Sequence, residues 1–190
     1  MSNFPSLPEN AHLSHVFQRF GKGLEPLLAL HDALLRSPSE FSIAERELIA
    51  AFVSGTNACA FCYGAHTLMA RAFGIDADVF ETLLEDPAAA GIDAKMVPVL
   101  LLARALTRNA GQSPARETRA VLDAGWSEES LFEVISIVGL YNYMNRLVEG
   151  AGLVPGPEYL DPDPEHLEAR RGSTYTKWGV GLGIASDETR

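Results

Sequence analysis

Segments with the apolar spacing of amphipathic helices, separated by glycine, proline and capping residues, make up most of the chain. Sustained period-two alternation flanked by hairpin turns, the pattern of a β-sheet, is absent. The pattern therefore predicts an all-α protein built as a compact helical bundle. Helices are expected over residues 11–20, 25–36, 43–54, 58–73, 76–84, 94–107, 114–124 and 128–150.

Three helix starts carry recognisable capping signals. Ser42 precedes an apolar run and has Glu45 three residues later, which is the pattern of a capping box. Asn57 is expected to cap the helix over 58–73, which Gly74 would close. Ser127 is expected to cap the last long helix, with acidic residues in its first turn.

The composition changes near residue 154. We predict one helical domain over residues 1–153, with a central segment at 42–74 that holds the candidate chemistry. Residues 154–190 contain four prolines within ten residues, then a charged stretch, then four glycines, and they are expected to form an extended C-terminal arm or tail. Trp178 and Ile184 make this arm apolar enough to dock, and a neighbouring subunit is the expected surface.

Charge and composition exclude several classes of function. The chain has 190 residues and a formal charge of −10, which argues against a nucleic-acid partner. No apolar run approaches the length of a membrane span, and the first residues lack the features of a signal peptide. We therefore expect a cytoplasmic protein, and in that compartment a close cysteine pair is more often reactive than a structural disulfide.

Both cysteines of the chain lie in one short motif, in which Cys59 and Cys62 are three residues apart and His66 follows four residues later. On a helix, this spacing allows a Cys59–Cys62 disulfide. It also places the imidazole of His66 one turn from Cys62 and too far from Cys59 to accept its proton. We therefore predict that Cys62 is the nucleophile and Cys59 the resolving thiol.

A base works best when a third group orients it, and the preceding helix supplies a candidate in Glu47. Its apolar neighbours indicate that Glu47 points inward, where burial would raise its pKa and allow it to relay protons. Glu45 is expected to be solvated or part of the helix cap, and Arg46 is expected to be a surface charge.

Other interpretations of these residues stay open. The two cysteines could be inert buried side chains, or Cys59, Cys62, His66 and Glu47 could bind zinc, although a second cysteine knuckle is absent from the sequence. The remaining histidines are expected at the surface or in packing. The run of residues 141–146 could line a pocket or form a subunit contact.

The stretch from Glu45 to Ala50, followed by the motif from Asn57 to His66, resembles the core of the alkyl hydroperoxidase D-like group of the carboxymuconolactone decarboxylase family. Residues 125–147 resemble its peroxidase-related branch. The resemblance implies an all-α homo-oligomer, a trimer or hexamer, with Cys62 as peroxidatic thiol and Cys59 as resolving thiol. It also implies that His66 and Glu47 relay protons. Phe61 stands where the best-studied members carry a second histidine.

The predicted function is a thiol-dependent reductase of alkyl hydroperoxides that cycles through a Cys59–Cys62 disulfide. An external dithiol or a thioredoxin-like protein would reduce this disulfide, and no bound cofactor or metal is expected. The alternatives are a non-catalytic redox-sensing or binding oligomer, and a decarboxylase-like enzyme that uses Glu47 and His66 on a small lactone.

Overall fold

The computed structural model describes residues 2–109, 111–160 and 164–186, and within these ranges all regular structure is helical. The all-α prediction is confirmed. These elements include one short 3-10 turn, Pro87–Ala89. The α-helices are α1 (Leu13–Arg19), α2 (Leu24–Leu35), α3 (Ile43–Thr56), α4 (Ala60–Ala72), α5 (Val79–Thr82), α6 (Met96–Arg108), α7 (Ala115–Asp123), α8 (Glu128–Ala151), α9 (Pro157–Leu160), α10 (Pro164–Arg171) and α11 (Tyr175–Gly181).

Helix α3 is the centre of the bundle. It packs against α2, α4, α6 and α8, and every residue from Arg46 to Ser54 is buried. A helix covered on all sides needs apolar residues around its whole circumference, and Leu48, Ile49, Phe52 and Val53 supply them. Polar groups carried by this helix are therefore held in the interior of the protein.

Arg46 shows how the interior accommodates one such group. Its guanidinium donates to the carbonyl oxygens of Ser37 at 2.8 Å and Leu34 at 3.3 Å, and it lies 3.5 Å from Glu133. The prediction that Arg46 is a surface charge is wrong, because this side chain satisfies carbonyl groups around the end of α2. Only 2% of the residue is exposed.

Two of the predicted caps are present. The hydroxyl of Ser42 accepts a hydrogen bond from the backbone of Glu45, and the Glu45 carboxylate accepts one in return from the backbone of Ser42 at 2.7 Å. Ser127 caps α8 by accepting from the backbone of Ser130 at 3.1 Å. The third predicted cap, Asn57, is wrong, and its consequences for the cysteines are described below.

The described part of the C-terminal arm folds back on its own chain. Helices α9 and α10 pack on α4, and α11 packs on α2. The backbone N–H groups of Tyr175 and Thr176 donate to the Asp32 carboxylate at 2.7 and 2.8 Å. A methyl group at Gly179 would lie 2.3 Å from Leu28, so α11 approaches α2 as closely as a glycine permits. The docking expected on a neighbouring subunit occurs here within one chain.

None of the helices in the described ranges has both the length and the apolar character needed to cross a bilayer.

Candidate functional site

The cysteines lie where α3 ends and α4 begins. Asn57 is the C-cap of α3, not the N-cap of α4, and Ala58 follows in the left-handed conformation with φ of 57°. The backbone N–H of Cys59 then donates to the Ser54 carbonyl at 2.9 Å, which closes α3. Cys59 itself becomes the N-cap of α4, and Cys62 occupies its third helical position. The motif therefore spans a helix start, whereas the sequence placed it inside a helix.

The two thiols are free, buried and electrostatically linked. The Cys62 thiol acts as a hydrogen-bond donor toward Cys59, which lowers the pKa of Cys59 despite its burial. The same interaction, together with burial, raises the pKa of Cys62. Position at a helix N-terminus also favours a thiolate. Of the two thiols, Cys59 is therefore the one that ionises more readily.

The pKa values favour Cys59 as the more acidic thiol, whereas solvent exposure favours Cys62 as the more accessible sulfur. Cys59 is 0% exposed, whereas Cys62 is 4% exposed and lines the main cavity described below. Cys62 is therefore the sulfur that a small molecule in this cavity would meet. The assignment of nucleophile and resolving thiol stays a prediction.

Glu47 and His66 form the second part of the site. Oε2 of Glu47 lies 2.6 Å from Nδ1 of His66, which joins α3 to α4 in the interior. With Nδ1 held by a carboxylate, the lone pair or proton of the imidazole available for chemistry is on Nε2. His66 also lines the cavity beside Cys62. No hydrogen bond between Cys62 and His66 is present within the described ranges.

Arg36 completes a buried ion-paired cluster. Its guanidinium lies 2.6 Å from Oε1 of Glu47, and the Glu47 side chain is 0% exposed. Burial alone would raise the pKa of Glu47, but His66 and Arg36 together outweigh it and the pKa is lowered. The expectation of a raised pKa is wrong, because Arg36, whose approach nothing in the sequence indicates, faces this carboxylate. Glu47 is thus a fixed anion that orients His66.

A cavity of about 250 Å³ opens next to these groups. Besides Cys62 and His66, its polar lining includes His31 and Tyr141. Its wall is otherwise dominated by aromatic and aliphatic side chains, among them Phe17, Leu28, Phe61, Met69, Met144 and Trp178. Such a surface suits a small apolar molecule that carries few polar atoms.

The C-terminal arm forms one side of this cavity. Tyr159, Tyr175 and Trp178 all line it, and the Tyr175 hydroxyl donates to Oε1 of Glu47 at 3.4 Å. Tyr159 stacks over His12, with a contact of 2.9 Å between its hydroxyl and the imidazole. The arm therefore covers one side of the site.

Beneath the thiols, three asparagines link α3 to α8. The Asn57 amide donates to the side-chain oxygens of Asn145 at 2.8 Å and Asn142 at 3.1 Å. Asn145 in turn donates to the hydroxyl of Ser54 at 3.0 Å. This network fixes the turn that carries Cys59 to the long helix α8.

The four residues selected from the sequence all lie in this region. They form two neighbouring pairs, Cys59 with Cys62 and Glu47 with His66. Within the described ranges, no three histidine, cysteine, aspartate or glutamate side chains are grouped closely enough to hold a metal ion. The interpretation in which all four residues bind one zinc ion therefore finds no support in this part of the chain.

Sequence reasoning missed Arg36, His31 and Tyr175. His31 was expected at the surface or in packing, yet it is 3% exposed and lines the cavity. Nothing in the local sequence distinguishes Arg36 or Tyr175, because their partners are distant in the chain. The sequence did indicate a pocket or a subunit contact for residues 141–146, and the structure places its members in different surroundings. Tyr141 lines the cavity, whereas Tyr143 is 54% exposed.

Comparison with known proteins gives one family match and similar solved structures. Residues 23–105, which include Arg36, Glu47 and the whole cysteine motif, match the model of the carboxymuconolactone decarboxylase family. This segment is therefore similar to that family. The chain is also similar to an uncharacterized peroxidase-related protein from Silicibacter sp. TM1040, with 26% identity, coverage of 72% of this chain and 71% of that one, and a TM-score of 0.66.

A second solved structure supports the fold. It is described as an alkylhydroperoxidase AhpD core, an uncharacterized peroxidase-related protein from Ralstonia eutropha JMP134. The identity is 21%, 76% of each chain is covered, and the TM-score is 0.70. The fold is thus that of the AhpD core. A search of curated proteins found no match.

Proposed function

We propose that this protein reduces organic hydroperoxides through a Cys59–Cys62 disulfide. The observation that carries the proposal is the pairing of two free, interacting thiols, one of which faces a mainly apolar cavity. His66, oriented by the Glu47 anion, lines the same cavity. The match of residues 23–105 to the family model and the likeness to a peroxidase-related protein support the same class of reaction.

In the proposed first step, the Cys62 sulfur attacks the terminal oxygen of the hydroperoxide. An S–O bond forms, the O–O bond breaks, and the Cys62 thiol proton passes to the Cys59 thiolate. Cys62 becomes a sulfenic acid while the peroxide is reduced to an alkoxide. His66 supplies the proton that converts the alkoxide to an alcohol.

In the second step, the Cys59 thiol condenses with the Cys62 sulfenic acid, which forms the disulfide and releases water. An external dithiol or a thioredoxin-like protein then reduces the disulfide and restores both thiols. A reducing compartment such as the cytoplasm provides such donors. The reaction uses the side chains of the protein and requires no bound cofactor.

Mass spectrometry of the reduced protein after one equivalent of cumene hydroperoxide tests the proposal. Wild type is expected to form the Cys59–Cys62 disulfide, and Cys59→Ser is expected to accumulate sulfenic acid on Cys62. Cys62→Ser is the matched control and should resist oxidation, because Cys59 does not line the cavity. Sulfenic acid on Cys59 in that variant would reverse the two roles. Unmodified thiols in wild type would refute the peroxidase function.

Repeated turnover separates an enzyme from a redox sensor. With excess hydroperoxide and dithiothreitol, an enzyme consumes many equivalents of peroxide per subunit, whereas a sensor is oxidised once. The Glu47–His66 pair also suits proton transfer on a small lactone. Because the matched family is named for a lactone decarboxylase, this reaction is the second candidate. Lactone turnover that survives replacement of both cysteines by serine would favour it.

A further inference from the structure

The hydroxyl of Tyr141 is a buried polar group without a hydrogen-bond partner within the described ranges. The residue is 1% exposed and lines the cavity together with Cys62 and His66. The nearby Tyr175 hydroxyl acts on the pKa of Tyr141, but it donates to Glu47 and makes no hydrogen bond of ordinary length and angle with the Tyr141 hydroxyl. A buried hydroxyl left unsatisfied costs about 1–3 kcal/mol, so packing alone would favour phenylalanine at this position.

The surroundings of Tyr141 hold its ring in place and keep its proton. The ring meets that of His66 edge-on at 4.3 Å between centroids, and it lies 6.0 Å from that of His31. Burial raises the pKa of Tyr141 well above its usual value, with Tyr175 and Glu47 acting in the same direction. The hydroxyl is therefore a fixed hydrogen-bond donor that lacks an acceptor.

An acceptor brought by a ligand would satisfy this group. The carboxylate of Glu47 is already paired with Arg36 and His66, and the cavity wall is mainly apolar. These features favour a neutral apolar molecule with an oxygen atom positioned near Cys62. An organic hydroperoxide has this character, and it develops negative charge on the oxygen bonded to carbon when the O–O bond breaks.

On the basis of the proposed function, we propose that Tyr141 donates a hydrogen bond to the carbon-bound oxygen of the hydroperoxide. The Tyr141 hydroxyl would stabilise the negative charge on this oxygen as Cys62 removes the terminal one. Because Tyr141 contacts His66, the imidazole that supplies the proton would lie next to the same oxygen. Tyr141 would then be a catalytic residue, although it lies outside the segment that matches the family model.

The Cys62 sulfur gains the terminal OH group and is oxidised by two electrons, and the O–O bond is cleaved. The carbon-bound oxygen leaves with the electron pair of that bond, accepts the hydrogen bond of Tyr141, and receives a proton through His66. The products are a sulfenic acid and an alcohol.

Tyr141→Phe removes this hydroxyl and retains the ring. Tyr143→Phe is the matched control, because Tyr143 lies on the same helix and is 54% exposed. In single-turnover oxidation with cumene hydroperoxide, we expect Tyr141→Phe to form the disulfide ~10–100-fold more slowly than wild type. Alkylation of Cys62 by iodoacetamide, which expels no oxygen, should change less than twofold. Tyr143→Phe should match wild type in both reactions.

Each other outcome has a distinct meaning. Oxidation of Tyr141→Phe at the wild-type rate would overturn the role of Tyr141 while the proposed function stands. Equal slowing of oxidation and alkylation would show that Tyr141 only supports the thiols, which also overturns the proposal. A wild-type protein that hydroperoxide does not oxidise would refute both proposals.

A binding measurement on wild type keeps the test independent of how the variant folds. The alcohol 2-phenyl-2-propanol carries the oxygen that Tyr141 is proposed to contact, and tert-butylbenzene has nearly the same shape without it. Calorimetry should show that the alcohol binds at least about fivefold more tightly, as expected for one hydrogen bond. Equal affinities would overturn the proposal.

Discussion

The guanidinium of Arg36 and the carboxylate of Glu47 lie 2.6 Å apart, and both side chains are almost completely removed from solvent. Arg36 is the first residue after α2, whereas Glu47 lies on the central helix α3. The ion pair therefore joins two helices directly behind His66. It also explains why a fully buried carboxylate keeps its charge, since burial alone acts against ionisation.

Replacement of Arg36 should be strongly destabilising. Arg36→Met removes one partner of a buried ion pair, and we expect a loss of about 3–5 kcal/mol in the free energy of unfolding. Urea denaturation measures this loss. Glu168→Gln is the control, because it breaks the exposed pair between Glu168 and Arg171 and should change stability by less than about 1 kcal/mol. Similar losses in both variants would contradict the importance of the buried pair.

Stability should fall between neutral pH and about pH 4, with His31 as one cause. Burial lowers the pKa of His31 from 6.5 to about 4. Below pH 6.5 the unfolded chain therefore binds a proton at this residue that the folded chain does not bind, and stability declines as pH falls until the folded pKa is reached. A difference of about 2.5 pH units corresponds to a loss of ~3 kcal/mol.

The His31→Gln variant tests this origin. Urea denaturation at intervals from pH 7 to pH 4 should give a shallower decline for the variant than for wild type. A variant whose stability falls as steeply as that of wild type would place the effect elsewhere. The depressed pKa of Glu47 adds a separate loss below its unfolded value, and that loss should persist in His31→Gln.

The turn before Cys59 allows a comparison of two alanines. Ala58 has a φ of 57°, which is unfavourable for a residue with a side chain, whereas Ala60 is the first residue of α4. We expect Ala58→Gly to stabilise the protein by about 0.5–1 kcal/mol and Ala60→Gly to destabilise it by a similar amount. Thermal unfolding measures both. Destabilisation by both changes would contradict the left-handed conformation at Ala58.

The arm should control access to Cys62. Asp32→Asn weakens two charge-assisted hydrogen bonds that hold the start of α11, each of which contributes about 1.5–3 kcal/mol. If this change lowers the free energy needed to open the arm by about 1.4 kcal/mol, iodoacetamide should alkylate Cys62 roughly tenfold faster. Asp123→Asn, an exposed change on α7, is the control. Unchanged alkylation in Asp32→Asn would show that access does not depend on α11.

Oligomer formation is proposed through one face of α8. Phe132, Ile135 and Tyr143 are 70%, 38% and 54% exposed, and their spacing places them along the same side of the helix. Light scattering should show a homo-oligomer, a trimer or hexamer, for wild type and smaller species for Phe132→Glu. Leu30→Glu, which changes an exposed leucine on α2, should retain the wild-type assembly. A monomeric wild type would contradict the proposal.

The sequence predicts local features of this protein better than distant contacts. Helix positions and helix caps depend on neighbouring residues. The patterns around Ser42 and Ser127 were sufficient to predict the caps of α3 and α8. The start of α4 was misplaced because the backbone of Cys59 bonds to Ser54, and this bond determines where the helix begins. Glycine is the usual sign of such a turn, and alanine stands there instead.

The candidate site was predicted in part for the same reason. Cys59, Cys62 and His66 are close in the sequence, and Glu47 lies on the preceding helix. Tyr175 is 128 residues away from Glu47 in the chain, and the charge of Arg36 gave no indication of its partner. The pKa of Glu47 was consequently predicted in the wrong direction, since the sign depends on a cation that only the fold brings near.

The return of the arm to α2 also affects the order in which the protein can mature during synthesis. Helices α1 to α4 emerge from the ribosome first, and α3 and α4 can bring Glu47, His66 and both thiols together. Tyr159, Tyr175 and Trp178 emerge much later, and until then the thiols have no cover on that side. A nascent chain would therefore pass through a stage in which its cysteines are assembled but open to oxidants of any size. Selectivity is acquired only when the last helices have been made.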